Sequence, residues 1–169
     1  MMTSYNLNIL AGPSAYQHIR ENGLQPEDIT RIMGASGASK WLTIAGLDIA
    51  IFKDWLTSSD HLIELFGTSV GAFKLAAAAS ANPAEKLAQL AELYAEYDDT
   101  GHEGSMRDII TLSTRNMINT VLGQDVPAQI LNNPRFRYHC GTVRPLGLFA
   151  SDSLKKHGMA LALAFAKSP

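Results

Sequence analysis

Ser69 stands at the centre of Gly67-Thr68-Ser69-Val70-Gly71, a G-x-S-x-G pentapeptide, and a serine so placed can attack a carbonyl carbon. That chemistry needs a sharp strand-to-helix turn that exposes the hydroxyl. It also needs small residues two before and two after the serine, because strand and helix pass close together there. Both flanks meet the demand. His61–Phe66 (HLIELF) is a short apolar run of strand length, and residues 72–81 are rich in alanine and predict a helix. Such a helix brings free N–H groups at its start, which places the Val70 N–H to bind a developing oxyanion.

A second chemical feature lies upstream. Gly34-Ala35-Ser36-Gly37-Ala38-Ser39-Lys40 also follows a predicted strand and opens a predicted helix, and every residue from 34 to 39 is small. Backbone N–H groups of such a loop can converge on an anion. Two anions fit, the oxyanion of an acyl transfer or a phosphate. The run G-A-S-G-A-S-K-W approaches the phosphate loop G-x-x-x-x-G-K-[ST]. Ser39, however, stands where that loop needs glycine, and Trp41 where it needs the magnesium-binding hydroxyl. The run HLIELF does not end in an acidic residue to hold magnesium. A ligand-free structural loop is a third reading.

The elements that must carry these features follow from periodicity and punctuation. Residues 13–22 predict a helix between Pro13 and Gly23. Ile29–Met33 predicts a strand, 41–56 a helix with Leu42, Ala45, Ile49, Phe52 and Leu56 on one side, and 61–66 a strand. Helices follow at 72–81, about 83–97 and about 106–122, the last capped by Ser105, with a polar loop over 98–104. Phe136–Val143 predicts a third strand, and Ser151 or Asp152 caps a last helix reaching Ala166. Strands alternating with helices imply an α/β fold, a three-layer sandwich on a mostly parallel sheet. Three strands make a thin sheet with no closing strand. The expectation is therefore one domain over residues 1–169 that lacks its C-terminal part.

Composition narrows the classes. With 169 residues, 46% hydrophobic and 18% charged, the chain suits one globular domain. A net charge of -2 gives no field for a nucleic acid backbone. The single cysteine, Cys140, rules out an internal disulfide and reads as a small packed side chain. His18, His61, His102, His139 and His157 show no metal-ligand spacing, so no metal is expected. The N-terminus lacks the pattern of a signal peptide, and no apolar run is long enough to span a bilayer; the expected location is cytoplasmic.

Taken together, the loop, helix, strand and elbow resemble the patatin-like phospholipase family over about residues 29–81, and less closely over 82–169. Gly34 precedes Gly67 by 33 positions, room for one helix and one strand, as in that family. The resemblance implies Ser69 as nucleophile, Gly67 and Gly71 as the elbow glycines, and Gly34, Ala35, Ser36, Gly37 and Val70 as the oxyanion hole. Lys40 sits near a basic position of the family, while Ala35 and Ser36 replace two of its usual three glycines. The implied activity is hydrolysis of a carboxylic ester in a lipid, without a cofactor. The implied partner is a lipid or ester substrate; apart from the resemblance, the apolar C-terminal helix suits transient contact with a membrane surface, and the open edge of the thin sheet favours joining a second copy.

The family pairs its serine with an aspartate in an Asp-Gly-[Gly/Ala] turn, since a free serine hydroxyl is a poor nucleophile. No aspartate here is followed by glycine. Asp98, Asp99, Asp108, Asp125 and Asp152 come after Ser69, but none sits in that turn. Three readings follow: the base lies outside this chain, the chain is an inactive scaffold, or His102 or His139 serves instead.

Overall fold

The computed structural model describes residues 7–96, 105–151 and 153–167. Three strands form one sheet in the order β1 (Arg31–Gly34), β2 (Ile63–Thr68), β3 (Phe136–Gly141), and both pairings are parallel. The register places Ile32 beside Leu65 and Leu65 beside Tyr138. One step on, Met33, Phe66 and His139 line up, then Gly34, Gly67 and Cys140. Successive side chains of a strand point to opposite faces, so these rows alternate between two environments.

One face is the core. Ile63, Leu65 and Phe136 are buried there beneath helix α3 (Val70–Ala78). Ala76 to Ala79 are buried without exception, and their small side chains let neighbouring elements come close. Helix α4 (Pro83–Ala95) packs on both α3 and α2 (Ala45–Ala50), adding Leu87 and Leu90 to the core. Each such leucine contributes about 1.5–3 kcal/mol by leaving water.

The opposite face is uncovered among the described residues. Met33 is 76% exposed and Phe66 42%. On the same face Glu64 pairs with Arg31 at 3.3 Å and with Arg137 at 3.7 Å, and all three are solvent-accessible. The expected three layers are thus two, helices on one side of a parallel sheet. Every second residue of each strand points to a side that no described helix covers.

Remaining helices follow the predicted order. Helix α1 (Pro13–Asn22) starts at its proline and ends at Gly23, which takes φ 76°. Helix α5 (Met106–Val121) begins at a reciprocal cap: Ser105 Oγ accepts the Asp108 N–H at 3.2 Å, and Asp108 accepts the Ser105 hydroxyl at 2.6 Å. Helix α6 (Val126–Leu131) has no counterpart in the predicted elements, though Pro127 marks its first turn. Helix α7 (Leu154–Ala166) buries Ala160 and exposes Leu161, Leu163 and Phe165.

Two further corrections concern local geometry. The helix expected over 41–56 is a 3-10 turn at Ala38–Ile44, then α2, a π turn at Ile51–Trp55 and a 3-10 turn at Leu56–Ser58. Its pitch changes, yet Trp41, Ala45, Phe52 and Leu56 all stay buried. Cys140 is exposed, not packed inside, because β3 is an edge strand and the residue sits near its end. The expected loop at 98–104 and the Asp152 cap lie outside the described residues. Among the described residues no helix is long and apolar enough to cross a membrane.

Candidate active site

The site forms where β1 and β2 end, at the carboxyl edge of the sheet, where α/β folds bind ligands. Ser69 leaves β2 and caps α3 with φ 52° and ψ -132°, a backbone state that a residue with a side chain rarely holds. The turn lifts its side chain into solvent. The Ser69 carbonyl accepts the N–H of Ala72 at 2.9 Å and of Phe73 at 3.3 Å, which starts the helix. The N–H groups of Val70 and Gly71 precede those bonds and have no partner within the helix. The Val70 side chain is buried and anchors the turn from below.

The glycines are there because backbone meets backbone. A methyl group on Gly34 would stand 2.7 Å from the Gly71 carbonyl oxygen and 2.9 Å from its Cα. One on Gly67 would run into the Gly71 carbonyl, and one on Gly71 into the Gly34 carbonyl. The elbow helix therefore lies directly on the end of β1 and the start of the small-residue loop.

A side chain fastens the middle of that loop. The Ser36 hydroxyl donates to the Thr68 carbonyl at 3.2 Å, and Thr68 Oγ1 lies 2.7 Å from it. Ser36 thus bonds the residue that precedes Ser69. Ala38 then takes φ 47° as the loop turns into its 3-10 segment. Ala35 and Ser36 are exposed, and Gly37 half-buried. All eight residues expected at the site, Gly34, Ala35, Ser36, Gly37, Gly67, Ser69, Val70 and Gly71, are thus brought together at one end of the sheet.

The candidate bases among the described residues are not. Among the described residues no hydrogen bond reaches Ser69 Oγ. His139 pairs in register with Phe66 on the uncovered face, and its neighbour Cys140 points the other way. Asp108 caps α5, and Asp125 stands at the start of α6. Asp98, Asp99, His102 and Asp152 lie outside the described residues. Lys40 is exposed, but Trp41, at the place of a phosphate loop's metal-binding hydroxyl, is buried and bonded to Asp48. Among the described residues no group of three potential metal ligands occurs.

Beside the elbow, Tyr138 donates its hydroxyl to the Ala72 carbonyl at 3.0 Å. Burial pushes the phenol above its ordinary range, so it stays a donor. Ala72, Phe73, Ala76, Tyr138 and Cys140 form one side of an apolar groove of about 420 Å³. Residue types and spacing did not single out the buried Asp48–Lys74 pair. Its one visible signal was a lysine inside an otherwise apolar, alanine-rich helix. Compared with family models, with curated proteins and with solved structures, the chain matches none.

Proposed function

We propose that this chain carries the nucleophile and the oxyanion loop of a serine acyl hydrolase of the patatin-like kind, acting on carboxylic esters of lipids. The observation that carries the reading is Ser69 itself. A serine in a strained backbone state, exposed at a strand-to-helix turn, is held against a loop of small residues by three interlocking glycines. Such strain costs on the order of 1–3 kcal/mol and persists where its surroundings over-determine it.

In the proposed reaction the Ser69 hydroxyl attacks the acyl carbonyl while a base takes its proton. N–H groups from Gly34 to Gly37 and from Val70 receive the negative charge on oxygen. The carbonyl re-forms, the alcohol leaves with the proton, and water then releases the acyl group by the same steps. The base is a carboxylate supplied from beyond the described residues or by a second chain. No cofactor takes part. The groove that starts one helical turn after Ser69, at Ala72, favours a substrate with an apolar chain. Contact with a membrane surface is transient, nucleic acid is not a partner, and the location is cytoplasmic. The outer edges of β1 and β3 offer a route to self-association.

Labelling with a fluorophosphonate probe tests this, comparing the parent with Ser69→Ala. Labelling of the parent alone supports the reading. The lack of a hydrogen bond from any described Asp or His to Ser69 Oγ favours a second reading, a scaffold that keeps the fold without catalysis. No labelling, either of this chain or of a longer polypeptide continuing past Pro169, would establish that second reading.

A further inference from the structure

We propose that Asp48 is a positioning residue: held by Lys74 and Trp41, it locks the far end of the oxyanion loop onto the nucleophile helix. Its catalytic consequence rests on the acyl-hydrolase reading, while its mechanical consequence rests on geometry alone. Asp48 Oδ2 accepts the Trp41 indole N–H at 2.5 Å and a Lys74 Nζ proton at 2.8 Å, and Oδ1 accepts from the same Nζ at 3.1 Å. Trp41 is 4% exposed, Lys74 8% and Asp48 9%. All three side chains are therefore largely buried, and the carboxylate and the ammonium are each other's charge partner.

The positions of the three residues give the cluster its meaning. Trp41 belongs to the 3-10 turn that leaves the loop, Asp48 to α2, and Lys74 to α3, in the elbow helix that Ser69 caps. The loop is thus fastened at three points to one strand–turn–helix unit. Gly34 rests on Gly71 at the start, Ser36 bonds Thr68 in the middle, and Trp41 reaches Lys74 through Asp48 at the end. Tyr94 meets the Trp41 ring edge to face at 6.0 Å, which keeps the indole from swinging off the carboxylate.

Stability alone does not call for this arrangement. Replacing a buried ion pair by apolar residues of similar size is often neutral or stabilising, because desolvation offsets the attraction. What an apolar cluster lacks is direction. Three bonds from two partners to one carboxylate fix the angle at which the loop's end approaches the elbow helix. An oxyanion hole needs that, since its donors must be held within about 0.5 Å of the productive position.

Two full-length variants test the lock. Trp41→Phe removes the N–H and keeps the ring, and the double variant Asp48→Leu/Lys74→Met removes the charges together and keeps an apolar core. Amide hydrogen exchange is followed in residues 35–44 and, as the internal reference, in β2. The expected result is exchange on the order of tenfold faster in 35–44 with β2 unchanged. Fluorophosphonate inactivation should slow on the order of 100-fold at saturation, with the half-saturating concentration unchanged. Exchange in 35–44 that matches the parent in both variants would overturn the lock. If the double variant fails to fold, Trp41→Phe alone decides. If neither this chain nor the longer polypeptide is ever labelled, the hydrolase reading fails, and the exchange result still judges the lock by itself.

Discussion

Adding one methyl group at Gly34 tests whether close backbone approach builds the site. In Gly34→Ala the new carbon would lie 2.7 Å from the Gly71 oxygen, 2.9 Å from its Cα and 3.0 Å from its carbonyl carbon. All three are backbone atoms of the elbow helix, so no side chain can rotate away. Overpacking of a tight core costs about 1–3 kcal/mol, and immovable neighbours put this site at the upper end. A chain of this length loses roughly 2–4 °C of melting temperature per kcal/mol, so the expected drop is about 6–12 °C. Gly46→Ala is the control, because Gly46 lies in α2, is exposed, and has no atom within 4 Å of an added carbon. There alanine gains roughly 0.8–1 kcal/mol of helix propensity, which raises melting by about 2–4 °C. Thermal unfolding followed by circular dichroism measures both. Opposite signs support the argument. A Gly34→Ala melting point within about 2 °C of the parent, or a Gly46→Ala protein that melts lower, would refute it.

Two other outcomes follow from local geometry. Ser69→Gly should melt a few degrees above the parent while losing all probe labelling. Relief of the φ 52° strain, on the order of 1–3 kcal/mol, outweighs the roughly 0.4–1 kcal/mol that glycine adds to unfolded-chain freedom. Ser69→Ala should lose labelling without that gain in stability, and equal melting of the two variants would contradict the strain. Asp108 carries a pH dependence: its bonds from the Ser105 hydroxyl and backbone N–H hold the carboxyl below the usual 3.8. Above that pH it is ionised in folded and unfolded chains alike, and its whole contribution to stability is present. The contribution is lost as pH falls from 3.8 through the lower folded value. Urea midpoints between about pH 5 and pH 2.5 should fall less steeply for Asp108→Asn than for the parent, and parallel curves would count against the cap.

The sequence by itself determined the local parts. Strand, glycine-rich loop, strand and elbow were legible because each has a short-range cause. Apolar runs of strand length, small residues where backbones meet, and alanine after the serine all act over a few positions. The cap at Ser105 and the starts at Pro13 and Pro83 were legible for the same reason. Tertiary structure alone decided which residues come together across long separations. Ser36 meets Thr68 across 32 positions, and Asp48 meets Lys74 across 26. A lone aspartate and a lone lysine carry no sign of each other until two helices pack, so the buried pair could not be read in advance. The uncovered sheet face was hidden likewise. Alternation along β1, β2 and β3 marks two faces, but only packing shows which one the helices cover. The pitch changes between Ala38 and Ser58 arise where the chain must leave a left-handed turn at Ala38 and still bury Trp41, Ala45, Phe52 and Leu56 against the same core.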